Sequence, residues 1–308
     1  MKAPLHPAPM VSPATHSSPV GLIGLGLLGS ALADRLRGGS LPVLGYDLDP
    51  ARREALAGAG GEVARDAAEI FGRCHRVLLS LPTHAEVQAV LTAAGGAVRA
   101  GHVIVDTTTG DPEATAAVAA ELAARGVAYL DATVSGSSSQ LREGSAVLMV
   151  GGDAAAFAAC GDLLAPLGRA TFHCGGPGAG ARMKLVTNVV LGLNRAALAE
   201  GLALAQGLGL DARQALAVMQ GGPAYSRIMD RKGERMLSGN FTPEARLSQH
   251  LKDVRLILKQ GDAAGLPMPL SRAHRSVLEA AESAGLGALD NSAIIRVLTA
   301  RAGTNEPQ

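Results

Sequence analysis

The apolar pattern of the chain changes once, near residue 180, and that change constrains its fold more than any other feature. From residue 19 to about 174, short apolar runs alternate with alanine-rich stretches of helical spacing. The runs fall at 20–24, 42–46, 77–81, 103–106, 127–131, 146–150 and 170–173, with helical segments such as 51–58, 84–93, 112–125 and 154–164 between them. Strands that are apolar on both faces and alternate with helices predict a parallel, doubly wound sheet. Beyond residue 180 the strand signal stops. Helical segments are expected at 181–208, 211–219, 224–237, 244–264, 268–284 and 291–301, each bounded by Gly, Pro, Ser or Asp. The reading is an α/β domain over 19–180 and an all-α helical domain over 181–308, bridged by a long helix. Residues 1–18, with Pro4, Pro7, Pro9 and Pro13 and no apolar core of a signal peptide, are expected to be a disordered tail.

The first strand runs straight into Gly24, Gly26 and Gly29, a G-x-G-x-x-G turn at the start of a helix. The first glycine permits the tight turn, and the second lets a pyrophosphate approach the backbone. The third allows close packing of helix on strand, while free N–H groups at the helix start hold the anion. Glycine is abundant here, at 39 residues, so the triplet gains its meaning from its surroundings. A second strand follows and ends at Asp47, about 20 residues on, where a carboxylate binds ribose hydroxyls. The domain is therefore read as Rossmann-type, with Gly24, Leu25, Gly26, Leu28, Gly29 and Asp47 as cofactor-binding residues. A carboxylate at Asp47 would repel a 2′-phosphate and favours NAD; NADP stays possible, since Arg52 and Arg53 could neutralise a phosphate or simply be solvated.

Composition removes other classes. Lys and Arg number 28 against 27 Asp and Glu, with no basic stripe or aromatic RNA-binding signature, so nucleic acid is not an expected partner. No apolar run is long enough to span a bilayer, so no membrane is expected either. Cys74, Cys160 and Cys174 are scattered and odd in number; they read as reduced thiols of a cytoplasmic protein. His84, His102, His173 and His250 show no metal or nucleophile spacing, and no metal is expected.

Just past the change of pattern, Lys184 and Asn188 stand at i and i+4 and share one helix face. A lysine there can give a proton to a carbonyl oxygen or take it back, if burial or a nearby cation lowers its pKa. On spacing alone it could equally be a solvent-facing lysine beside a glycine-rich helix start.

Together, four ordered motifs resemble the β-hydroxyacid dehydrogenase family, in which the 3-hydroxyisobutyrate dehydrogenases fall. They are GLIGLGLLGS, with Leu28 where methionine is usual; DATVSG, from Asp131 to Gly136; the run from Gly178 through Lys184 to Asn188; and Lys252-Asp253 in the helical half. The resemblance spans about residues 19–301. It implies reversible hydride transfer between NAD(H) and a small 3-hydroxy acid or its semialdehyde. It makes Lys184 the general acid/base, with Asn188 assisting. The Ser135 hydroxyl and backbone, with the N–H groups of Gly136 and Ser137, would bind the substrate carboxylate. Leu81, Pro82 and Thr109 would contact the cofactor, and Lys252 would reach the nicotinamide side of a cleft between the domains. Each of these has a plainer alternative: a strand terminator, a turn residue, half of a surface ion pair. Homodimers or homotetramers formed through the helical half are implied in the same way.

Departures from the family pattern are informative. The family's S-G-G-x-x-G-A-x-x-G reads Ser135-Gly136-Ser137-Ser138-Ser139-Gln140-Leu141-Arg142-Glu143-Gly144 here. The added polar groups suggest a more polar or differently shaped substrate touched by Gln140 or a serine, or else side chains that brace the loop. Ala245 stands where phenylalanine is common, with Tyr225 and Phe241 as nearby aromatics. Rival readings are an imine reductase of the same fold, which replaces the lysine, and a non-catalytic NAD-sensing protein.

Overall fold

The computed structural model describes residues 18–300; the tail expected over 1–18 lies almost wholly outside them. Eight strands form one sheet: β1 (Val20–Ile23), β2 (Val43–Tyr46), β3 (Glu62–Val63), β4 (Arg76–Leu79), β5 (Val103–Asp106), β6 (Ala128–Ser135), β7 (Val147–Gly151) and β8 (Ala170–Gly175). Between them lie α1 (Leu27–Gly38), α2 (Pro50–Gly58), α3 (Ala67–Arg73), α4 (His84–Ala94), α5 (Pro112–Ala124), α6 (Ser138–Arg142), α7 (Ala154–Ala159) and α8 (Gly161–Leu164). The strand order is β3-β2-β1-β4-β5-β6-β7-β8. Order reverses at β1, which places the glycine turn at the crevice where such sheets bind ligands.

All neighbours are parallel except β6 and β7, which run antiparallel with Asp131 opposite Gly151 and Ser135 opposite Val147. The doubly wound sheet is thus parallel, as expected, at every pair but this one. The cause is the connection: β6 and β7 are joined by α6 and a few residues, too short for a right-handed parallel crossover. Strand β6 also continues four residues past Asp131, whose register partner is Asp106, so Ser135 projects beyond the end of β5 while still paired with Val147 of β7.

Both faces of the sheet are covered, as continuous apolar strands require. On one face Leu22, Leu32, Leu36, Leu130, Val150 and Leu163 belong to one core. On the other Ile23, Ile70, Phe71, Leu79, Ile104 and Tyr129 form a second. Alternate residues of one strand serve opposite cores, and each fully buried Leu, Ile or Phe contributes about 1.5–3 kcal/mol. Most helices here carry a side-chain cap: Asp49, Asp66, Thr83, Asp111, Ser137 and Asp153 each accept an N–H in the first turn.

The chain divides into two compact units, 1–181 and 182–308. The second contains α9 (Ala179–Gly207) from residue 182 on, with α10 (Ala212–Gly221), α11 (Arg227–Ser238), α12 (Leu247–Ala263), α13 (Pro269–Ser283) and α14 (Ile295–Ala300). Its own core includes Leu198, Leu202, Leu251, Val254, Leu258 and Leu278. Beneath it, Asp290 is fully buried and receives Lys232 Nζ at 2.9 Å and the Ser292 hydroxyl at 2.8 Å. Among the described residues, no helix is long and apolar enough to cross a membrane.

Candidate active site

The glycine turn has the geometry its sequence predicts. Gly24 has φ +94°, and a Cβ there would lie 2.2 Å from the Ser80 carbonyl oxygen; one at Gly29 would lie 1.9 Å from the Gly24 carbonyl oxygen. Both positions exclude any larger residue on packing grounds alone. Gly26 differs: a Cβ there would meet nothing nearer than Arg52 Nη1 at 3.8 Å. Packing does not need that glycine, and the space above it is open. Gly26 is also the N-cap of α1, and the helix start has neither a side-chain cap nor an acidic residue in its first turn. An uncapped helix start beneath an open glycine fits a dinucleotide pyrophosphate. Leu25 is buried, and Leu28 is half-buried against the first core.

Asp47 follows β2 and is 8% exposed. Its carboxylate accepts the Leu25 N–H at 2.7 Å and the Asp49 N–H at 2.9 Å, and Arg52 Nη1 lies 3.3 Å away. Burial favours the neutral acid, but those N–H groups and Arg52 outweigh it and hold the carboxyl below its ordinary value. Arg53, read from the sequence as either a phosphate-neutralising or a solvated residue, donates to the carbonyl oxygens of Asp47 and Leu48.

Beyond β4, the Leu81 N–H donates to the Thr108 hydroxyl at 3.3 Å. Thr107 and Thr108 are buried by bonds to Leu79 and Asp106, while Thr109 and Pro82 lie further out. The turn, Asp47, Leu81 and the threonines therefore gather at the carboxyl ends of β1, β2, β4 and β5.

At the end of β6 the loop expected to hold a substrate has a job of its own. The Ser137 side chain accepts the Gln140 N–H, and Gln140 Oε1 accepts the Ser137 N–H at 3.0 Å, a reciprocal capping box for α6. Gln140 thus braces the loop. The Ser137 N–H, expected to receive a carboxylate, already has a partner. The S-x-x-Q spacing carried that signal in the sequence. Asp131, at the head of the same motif, is 1% exposed and accepts the Gly178 N–H at 2.8 Å and the Ala181 N–H at 2.7 Å. It anchors the first turn of α9, a role its place in the motif did not reveal.

In the second unit, Lys184 and Asn188 are buried on one face of α9, 8% and 4% exposed. Asn188 Nδ2 donates to Asp253 Oδ2 at 3.0 Å, and Lys252 Nζ lies 3.3 Å from Asp253 Oδ1. The structure so brings together Lys184, Asn188, Lys252 and Asp253. Burial pushes the Lys184 ammonium below its ordinary pKa; Asp253 opposes this, and Lys252 and Arg195 add to it. Burial likewise raises the Asp253 carboxyl, against the pull of the two lysines. A desolvated lysine among cations gives up its proton more readily than a solvated one, as a proton-exchanging group requires. Near the Ala245 departure, Phe241 is buried beneath the Arg296 guanidinium, and the Tyr225 hydroxyl, on an exposed side chain, bonds Asp230.

An uncapped glycine turn on a doubly wound sheet, followed by a helical unit with a buried lysine, defines a dinucleotide-dependent oxidoreductase. Residues 19–176 match the family described as the NAD binding domain of 6-phosphogluconate dehydrogenase. Residues 178–298 match the one described as NAD-binding of NADP-dependent 3-hydroxyisobutyrate dehydrogenase. The chain is 32% identical to 2-(hydroxymethyl)glutarate dehydrogenase of Eubacterium barkeri, over 90% of this chain and 94% of that one. It is 30% identical to L-threonate dehydrogenase of Cupriavidus necator, over 90% and 95%. A crystal structure of 3-hydroxyisobutyrate dehydrogenase from Salmonella typhimurium superposes with TM-score 0.84 at 26% identity, covering 91% of this chain and all of that one. The protein belongs to the 3-hydroxyisobutyrate dehydrogenase-like family of hydroxyacid dehydrogenases.

Proposed function

We propose that this protein transfers a hydride between NAD(H) and the hydroxyl-bearing carbon of a small 3-hydroxy acid or its semialdehyde, with Lys184 as general acid/base. The bound nicotinamide ring supplies the hydride acceptor in oxidation and the donor in reduction. In oxidation the neutral Lys184 amine takes the hydroxyl proton as the carbonyl forms; in reduction the ammonium returns it. The observation that carries this reading is the burial of Lys184 among Lys252 and Arg195, which favours the neutral amine the reaction needs. Asp253 fixes the Asn188 amide, and Asn188, one turn from Lys184, orients the amine or the substrate. With the Ser137 N–H engaged by Gln140, the substrate carboxylate falls to the Ser135 hydroxyl and the Gly136 N–H.

NAD is favoured over NADP by Asp47. It is ionised, faces the ribose position beyond β2, and already holds Arg52, so a 2′-phosphate would meet a carboxylate and not a free cation. The test is a spectrophotometric panel of 3-hydroxy acids and semialdehydes, each with NAD(H) and NADP(H). It includes 2-(hydroxymethyl)glutarate and L-threonate, after the names of the two relatives. Turnover of at least one 3-hydroxy acid, with higher kcat/KM on NAD, is expected. Preference for NADP would overturn the cofactor reading, and inactivity on every member would overturn the substrate class.

A further inference from the structure

The face of α9 that carries Lys184 and Asn188 continues to Gly192 and Arg195, at i+8 and i+11. Arg195 is 2% exposed, and its Nε and Nη2 have no hydrogen-bond partner among the described residues. Two histidines meet it in the same unit. His250 of α12 and His274 of α13 are 6% and 5% exposed, with ring centroids 5.2 Å apart. The Nε2 of each is likewise buried and unpartnered. Both rings lie over Gly192: a Cβ there would come within 2.7 Å of His250 Nε2 and 2.8 Å of His274 Cε1, the atom next to the second unpartnered nitrogen. The glycine is what lets the two rings converge on the helix backbone.

Four buried nitrogens able to donate, two on Arg195 and one on each of the histidines it acts on through space, therefore have no partner among the described residues, where native interiors leave few such groups unpaired. One of the side chains is a guanidinium, and an ionised group this deep requires compensation. Asp253 and Asp290 oppose its charge through space; Asp290 is bound by Lys232 and Ser292, while Asp253 takes the Asn188 amide at Oδ2 and pairs with Lys252 at 3.3 Å through Oδ1, an oxygen that itself accepts no hydrogen bond. Both imidazoles are held neutral, first by burial and then by Arg195, so each has one N–H to give. None of the four nitrogens has an acceptor among the described residues, and neither carboxylate bonds the guanidinium.

We propose that Arg195, His250 and His274 form a buried binding site for one compact monovalent anion of halide size. Arg195 Nε and Nη2 and the two Nε2–H groups hold it, and Gly192 forms the wall against α9. The site stands on these residues alone, whether or not Lys184 carries the proton. Its test is thermal unfolding of the whole protein at fixed pH and ionic strength, with sodium bromide in place of sodium gluconate, whose anion is too large to enter. Binding to the folded state raises Tm by mass action. The bromide-minus-gluconate difference in Tm is expected to be several degrees more positive in the wild type than in Arg195→Met, and to saturate with bromide. His274→Phe, which removes one donor and keeps a ring, is expected to lose most of the same difference and serves if Arg195→Met does not fold. A crystal grown in bromide should show an anomalous peak within hydrogen-bond distance of Arg195 and at least one Nε2. An ordered water there with no halide signal, or a salt difference equal in wild type and variants, would overturn the proposal.

Discussion

A lysine on the solvent face of a helix keeps its proton at any pH where most enzymes work; Lys184 is not on that face. Burial favours its neutral form, and with Asp253 pulling the other way the outcome depends on Lys252 and Arg195 nearby. If it moves the proton, Lys184→Ala should lower kcat by roughly 10²–10⁴ at saturating NAD(H), the usual scale for a positioned acid/base. Near-normal turnover by a folded variant would remove Lys184 from the mechanism. His274 makes a second prediction at this scale. Burial, with Arg195 adding, lowers its pKa from the usual 6.5 to about 4. The unfolded chain therefore takes up this proton first as pH falls. Stability from this residue is whole above about pH 6.5 and lost as pH drops toward about 4, by about 3 kcal/mol. Denaturant unfolding of wild type and His274→Phe in gluconate should show the wild type losing that much more between about pH 7 and about pH 4.5. Parallel losses in the two proteins would mean that His274 does not titrate in this way.

Elements are where glycine and capping residues act, and here sequence and structure can be compared directly. Alanine at Gly26 meets no atom closer than 3.8 Å, whereas at Gly29 it meets the Gly24 carbonyl oxygen at 1.9 Å. Gly26→Ala should therefore fold with a stability within about 0.5 kcal/mol of wild type, yet bind NADH at least about tenfold more weakly because its methyl occupies the pyrophosphate space. Gly29→Ala should lose about 1–3 kcal/mol of stability by overpacking. Fluorescence titration and denaturant unfolding separate the two effects; unimpaired NADH binding by Gly26→Ala would refute this view of the turn. The turn was legible because its constraint is local: a strand, three glycines and a carboxylate at fixed offsets. The long strands were legible because burial on both faces leaves an unbroken apolar run. Strand β3 was not, since Glu62 and Val63 are both exposed and carry no such pattern. The antiparallel direction of β7 was also hidden, because direction depends on the connection and not on side-chain pattern. At residues 137–140 the polar departure was visible, but its partner was ambiguous: the same serine and glutamine can face a ligand or each other. They face each other, so Gln140→Ala should cost about 0.5–2 kcal/mol of stability and raise KM for every carboxylate substrate alike. A reordered substrate ranking would return Gln140 to the binding site. The Arg195, His250 and His274 cluster went unread because its members come from three helices, and sequence spacing reports only neighbours on one.

For the whole molecule, the feature that composition does not account for is the outer face of α9. This helix has 29 residues and is about 43 Å long. Its inward face is committed to Lys184, Asn188, Arg195, Leu198 and Leu202, all buried. Its outer face shows Met183, Val186, Val190 and Leu204, between 41% and 61% exposed, with Ala197 on the same line. Steps of three, four, seven and seven residues keep these on one seam, the spacing by which two helices pack along their length. Isolated exposed apolar residues need no explanation, but a row of them along one helix is the pattern an interface would bury. The occupant best suited to such a seam is the same seam of a second copy, since a two-fold axis across it satisfies both chains at once. The protein is therefore expected to sediment as a dimer or tetramer at micromolar concentration. Leu204 lies about five and a half turns beyond Lys184, so Leu204→Glu combined with Val190→Glu should shift the distribution toward smaller species. The charges introduced would face each other across the axis in a dry contact, where each must be desolvated and repels its symmetry mate. Sedimentation velocity decides it: a wild type that is monomeric at those concentrations, or an oligomer untouched by both glutamates, would place the interface elsewhere or remove it.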